Sequence, residues 1–292
     1  MNASTLKSLA GVLLAVVVGV GVAWAGGRGG ETVLGIPIFW IVVGGAYLVQ
    51  WLAFIIAFIQ KTEKFYDLTG SLTYITLTTL TVLLIPQIDH RAVLLLVLVV
   101  VWAARLGTFL FTRVLKAGKD DRFDDIKVDF GRFLLTWTLQ GLWVTFTASA
   151  AWGAITSSVR QPLDWFTVIG LIVWLVGFVF EVLADAQKSA FKAQPENEGQ
   201  FIKNGLWAWS RHPNYFGEIV VWIGVALIAL PVLRGWALLT LISPVWSVIQ
   251  LTLISGVPML EKKADQRWGD QADYQAYKQN TPVLFPWPPK KN

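Results

Sequence analysis

Cysteine is absent from the 292-residue chain, which removes disulfides, thiolate nucleophiles and zinc–thiolate centres from consideration. Histidine is almost absent too, with His90 and His212 the only two. Charge is scarce at 15% of residues, while 55% are hydrophobic, including 16 Trp and 17 Phe. Apolar runs of about twenty residues recur along the whole length, long enough to cross a bilayer. They are continuous rather than alternating, so barrel strands are excluded and helices, which satisfy their own backbone in lipid, are required. The expected fold is all-α, a polytopic transmembrane helix bundle. The formal charge of +5 reports orientation in the membrane rather than a nucleic-acid partner.

Eight spans are expected, near 8–25, 35–60, 70–86, 92–113, 133–157, 164–188, 214–233 and 236–257. If both termini are cytoplasmic, nineteen basic residues fall on inner segments, from Lys7 to Lys290 and Lys291. Only Arg28, Arg91, Arg160 and Arg234 fall outside, and Arg105 lies within a span. That asymmetry follows the positive-inside rule. Residues 1–26 form either an extra first helix or a signal-like segment ending in Ala23-Trp24-Ala25; cleavage would leave seven spans. Residues 1–292 are expected to form one integral membrane domain, closed by an amphipathic cytoplasmic tail over 258–292 with Trp268, Tyr274, Tyr277 and Trp287 as aromatic anchors. A bacterial inner membrane fits this organisation.

Polar groups inside the spans carry the chemistry. Arg105, Phe109 and Arg113 share one helix face, with Arg105 roughly 12 Å deeper than Arg113. Facing lipid, such an arginine costs at least about 2.5 kcal/mol, so it needs an anion within the bundle. Glu181 or Asp185 could supply it as a structural partner, and so could a phosphate or carboxylate of a ligand. Glu181 and Asp185 themselves lie four apart on one face near the inner surface. The densest cluster is Ser210-Arg211-His212-Pro213-Asn214-Tyr215-Phe216-Gly217-Glu218. Pro213 suits the first turn of a helix, and the free N–H groups there favour a phosphate. Asn214 and Glu218 share a face, with Tyr215 one position round. At the second and third spans, Gln50, Gln60, Tyr66, Asp67 and Tyr74 read either as an interfacial turn with Asp67 capping the third helix, or as the wall of a cavity that needs a hydrogen-bond donor. Glu63 is a weaker candidate donor. The paired acids of Lys119-Asp120-Asp121-Arg122 lack the glycine and terminal Glu of a calcium loop, so no metal site is expected.

The pattern Gly-Leu-Trp…Ser-Arg-His-Pro-Asn-Tyr-Phe-Gly-Glu, preceded by Glu181…Asp185-Gln187 and followed by Ser-Gly-Val-Pro…Glu261, resembles the DUF1295 group of the steroid 5-alpha-reductase superfamily over roughly residues 40–287. Sterol delta-14 reductases and isoprenylcysteine carboxyl methyltransferases carry related motifs. The resemblance implies a bundle that holds NADPH in a cytosol-facing cavity and reduces a carbon–carbon double bond of a lipid or a steroid- or isoprenoid-like enone. It implies cofactor contacts at Asp185, Asn214, Tyr215, Glu218 and Arg105. Arg113, Arg211 and His212 add groups for phosphates, and Glu181 completes the cofactor set. Glu181 stands where the group has Asn, and Trp102 stands where steroid reductases have their carbonyl-polarising tyrosine. A replacement donor is therefore sought among Tyr74, Tyr66 and Gln60. The substrate would be a hydrophobic small molecule or lipid. Methyl transfer from S-adenosylmethionine is the alternative, disfavoured because that cofactor has no phosphates for the arginines to meet. Transport ranks third, since no inverted repeat is visible.

Overall fold

A computed structural model describes residues 3–288; Lys290 and Lys291 of the inner-face count lie outside the described residues. Helices form at the expected positions: α1 (Ala3–Gly26), α2 (Ile38–Gln60), α3 (Tyr66–Leu84), α4 (His90–Ala117), α5 (Phe130–Thr156), α6 (Trp165–Ala193) and α7 (Pro213–Ala229). The eighth span is irregular. It is 3₁₀-helical over Gly235–Leu241, α-helical over Ile242–Ile249 (α8) and π-helical over Gln250–Ile254. Pro258 occupies the first turn of α9 (Val257–Trp268), beyond a bend at Ser255 and Gly256. The last helix, α10, runs Ala272–Asn280. A two-stranded hairpin, β1 (Thr32–Val33) and β2 (Ile36–Pro37), joins α1 to α2. Its turn places both Leu34 (φ 53°) and Gly35 (φ 79°) in the left-handed region, as a tight hairpin requires.

Local signals set the helix ends. The Asp89 carboxylate accepts from the Ala92 N–H at 2.7 Å to start α4, and Asp129 accepts from the Arg132 N–H at 2.8 Å to start α5. Gly118, at φ 81°, closes α4. Asp67 does not cap α3; it lies inside the first turn, and Phe65 holds the cap position with no side-chain bond. Among the described residues, six helices are long and apolar enough to cross a membrane, and α3 and α5 fall outside that set. Their lower apolarity has a cause in the packing. α5 touches α1, α2, α3 and α4, and its polar residues bond to neighbouring helices: Trp51 Nε1 donates to Thr138 Oγ1 at 3.1 Å, and Trp152 Nε1 to Thr78 Oγ1 at 2.9 Å. The peripheral helices instead expose rows of Leu, Ile and Val, including Leu13, Ile55, Val97, Ile172 and Leu183. Apolar surface on that scale is suited to lipid and not to water.

The chain forms two compact units, Met1–Thr167 with Ala226–Ser243, and Val168–Val225 with Pro244–Asn292. In the first, Phe54, Ala57, Tyr66, Phe123, Phe133 and Trp137 make an aromatic core. Arg91, expected on an outer segment, is 2% exposed. Its guanidinium donates to Ile228 O (2.5 Å), Pro162 O (2.9 Å) and Thr167 Oγ1 (3.0 Å), and lies 3.6 Å from Asp164. It pins three chain segments of the first unit together, α4, residues 162–167 and Ile228. In the second unit α6 and α7 pack antiparallel, backbone on backbone. A Cβ at Gly217 would stand 2.6 Å from Glu181 N, one at Gly177 2.6 Å from Val221 N, and one at Gly224 2.6 Å from Gly170 O. The heptad spacings Gly170–Gly177 and Gly217–Gly224 are what permit this approach.

Candidate functional site

The α6–α7 contact decides where the acids stand. The register that sets Gly217 beside Glu181 sets Asp185, one turn on, level with Pro213 at the start of α7. Glu181 and Asp185 are 2% and 5% exposed. The second unit therefore gathers Glu181, Asp185, Arg211, His212, Asn214, Tyr215 and Glu218 around one helix start, seven of the residues singled out by sequence.

The segment leading into α7 is held from several sides. Gly205 (φ 58°) turns the chain so that the Leu206 N–H donates to Gln187 Oε1 at 2.9 Å, and Trp207 Nε1 donates to Ala184 O at 3.0 Å. The C-terminal strap holds the other side. Arg211 N–H donates to Pro282 O at 2.9 Å, Ser210 Oγ to Leu284 O at 2.8 Å, and Trp287 N–H to Trp209 O at 2.9 Å. In the tail, Tyr274 meets Phe201 edge-on at 5.2 Å, Tyr277 lies tilted against the same ring at 5.5 Å, and the Tyr277 hydroxyl donates to Trp207 O at 2.7 Å.

Glu261 on α9 is the residue that sequence reasoning missed as a site member, although it closes the quoted motif. One of its carboxylate oxygens accepts from Arg211 Nη1 at 2.6 Å and the other lies 2.8 Å from His212 Nε2. His212 is buried, and its ring stacks on Tyr215 at 5.6 Å. Burial outweighs the Glu261 carboxylate and lowers the His212 pKa, which favours the neutral imidazole. A carboxylate can only accept, so Nε2 carries the hydrogen. Nδ1 is then an acceptor, and it is buried without a hydrogen-bond partner.

The candidates in the first unit lie on α2, α3 and α4. Gln60 is exposed at the end of α2, whereas Gln50 is fully buried with Nε2 donating to Thr73 Oγ1 at 2.8 Å. Tyr66 is buried in the aromatic core and its hydroxyl donates to Thr136 O at 3.1 Å. Tyr74 is half-buried, edge-on to Trp102 at 5.3 Å. Arg105 is half-buried over the Phe109 ring at 5.3 Å, and Arg113 is largely exposed, 4.0 Å from Asp67. Below them Glu63 accepts from Lys127 Nζ at 2.7 Å and from the Asp120 N–H at 3.1 Å. Burial raises its carboxyl, but these donors outweigh that and hold it below the ordinary range. Asp120 is occupied by Arg122, and among the described residues no acid and histidine cluster could hold a metal.

The chain is 23% identical to rat 3-oxo-5-alpha-steroid 4-dehydrogenase 1 over 53% of its length and 56% of the relative's. It is 28% identical to the steroid 5-alpha-reductase DET2 of tomato over 53% and 52% of the two chains. To the delta(14)-sterol reductase of Arabidopsis thaliana it is 27% identical over 36% and 32%. It thus spans about half the length of the first two curated relatives. No solved structure matches it. Residues 53–281 match the family described as protein of unknown function DUF1295, a stretch that contains α3 to α7, the Arg-His-Pro segment and Glu261, and the chain belongs to that family.

Proposed function

We propose that the protein is an NADPH-dependent membrane reductase of a carbon–carbon double bond in a hydrophobic enone, of lipid, steroid or isoprenoid type, working at the cytoplasmic face of a bacterial inner membrane. The observation that carries this reading is the gathering of buried Glu181 and Asp185 with Asn214, Tyr215 and Glu218 at the start of α7, in a chain similar to two kinds of sterol and steroid reductase.

The residues suit such a cofactor. An unpartnered buried acceptor at His212 Nδ1 calls for a donor, which a ribose hydroxyl or the carboxamide N–H provides and a phosphate does not. In this reading His212 meets a hydroxyl or amide, and Arg105, Arg113 and Arg211 remain the groups for phosphates. Asp185, Asn214 and Glu218 orient ribose and carboxamide. Bound NADPH would supply a hydride to the β-carbon of the enone. As that bond forms, the π electrons move onto the α-carbon and oxygen, where a donor must stabilise the charge before a proton reaches the α-carbon. Tyr74, Tyr66 and Gln60 are the candidate donors we carry forward. Tyr66 commits its hydroxyl to Thr136 O, and Gln60 is exposed at a helix end.

Thermal shift of the purified protein with NADPH, NADH and S-adenosylmethionine tests the cofactor. A ligand at a hundred times its dissociation constant stabilises by about 2.7 kcal/mol. NADPH should give the largest shift, and Asp185→Ala, Asn214→Ala or Glu218→Ala should abolish it without loss of folded protein. Stabilisation by S-adenosylmethionine alone would identify a methyltransferase instead.

A further inference from the structure

At the end of the first unit away from Glu63 and Lys127, a cavity of about 120 Å³ opens among Gly29, Gly30, Gly153 and Ser157, with Arg28 and Arg234 in its wall. It is too small to enclose a whole lipid or cofactor, since pockets for such ligands run from about 300 Å³ upward. Its charge is one-sided. Arg28 lies over the Trp24 ring at 4.5 Å, and Arg234 Nη1 donates only to the neighbouring Leu233 O at 2.7 Å. Neither arginine pairs with a carboxylate among the described residues; Glu31, three residues after Arg28, goes to Arg160 at 3.8 Å. Two uncompensated guanidinium groups in a concave wall attract an anion and can meet phosphate oxygens in a fork.

The surroundings say which anion. Trp24 and Trp236 pack edge to face at 5.4 Å, with Trp236 and Trp40 exposed, an arrangement of amphipathic rings typical of headgroup depth. Beside Trp236, Leu238 and Leu239 are also exposed and offer an apolar flank for acyl chains. We infer that this cavity binds the phosphate of an anionic phospholipid headgroup, held between Arg28 and Arg234 with the acyl chains lying against the flank outside. The site takes no part in the proposed reduction, and it stands whether or not that reading holds.

Native mass spectrometry of the full chain with equimolar phosphatidylglycerol and phosphatidylcholine of matched chains tests it. Wild type should retain phosphatidylglycerol preferentially, and the Arg28→Gln/Arg234→Gln double variant should lose that preference by about thirtyfold. Arg234→Gln alone, at an exposed side chain, should lose a smaller part of it in protein that folds normally, and the NADPH shift of each variant should match wild type. Equal retention of the two lipids by wild type, or a preference unchanged in the variants, would overturn the assignment. So would displacement of phosphatidylglycerol by millimolar inorganic phosphate, which would make this a site for the free ion.

Discussion

A buried carboxylate and a half-buried one do similar work to different ends. Glu63 in the first unit accepts from Lys127 Nζ and the Asp120 N–H, and its partners find their remaining bonds nearby, Lys127 lying also 3.5 Å from Asp124. Glu261 in the second unit holds Arg211 and His212 just as tightly, yet leaves Arg211 Nε and His212 Nδ1 buried and unpartnered. A closed network of that kind stabilises a turn. An open one retains polar capacity that costs stability unless something else meets it, which is the usual mark of a binding surface.

The comparison can be tested from its strongest consequence downward. Glu63→Ala strands Lys127 and the Asp120 N–H, and should destabilise the protein by about 3 kcal/mol in denaturant titration while leaving NADPH affinity in the residual folded fraction unchanged. Glu261→Gln should do the reverse. The fold should survive, but NADPH should bind about tenfold to a hundredfold more weakly by titration, because the charged acceptor that fixes the His212 tautomer is gone. An unaltered affinity would make Glu261 purely structural. Gly217→Ala drives a methyl against the Glu181 backbone and should cost about 1–3 kcal/mol, whereas Gly44→Ala, with open space around its Cβ position, should cost nothing or stabilise slightly.

Acid should separate the two regions. The lowered His212 pKa means the unfolded chain takes up the proton first, so the His212 contribution is complete above about pH 6.5 and is lost as pH falls through the folded value. Glu63 is also lowered, but from 4.5, so its contribution holds above that pH and disappears only below it. Hydrogen exchange corrected for intrinsic rates should show peptides around 205–218 loosening as pH falls from 6.5 towards 4.5 while those around 61–67 stay protected. His212→Gln should flatten the first change only.

Much of this was legible in the chain. Helix positions followed from apolar runs, and Pro213 marked the start of α7, because bilayer thickness and the missing proline N–H act locally. The polar residues of the Arg-His-Pro segment announced themselves by density alone. Errors arose where a residue's environment came from distant chain. Asp67 looked like a cap and pairs with Arg113 and Arg122. The lower apolarity of α3 and α5 accompanies side-chain bonds to neighbouring helices, which no single stretch of sequence displays.

Composition and periodicity by themselves determined that this is an all-helical membrane protein, along with the residue types available for chemistry. Those follow from solvation, which each residue carries with it. Only the tertiary structure decided that Gly217 presses against Glu181, that Glu261 reaches back across forty-nine positions to His212, and that Nδ1 is left as the spare acceptor. Such relations depend on how closely two backbones can approach and on which lone pairs remain once every neighbour has been satisfied, and neither quantity exists until the helices have packed.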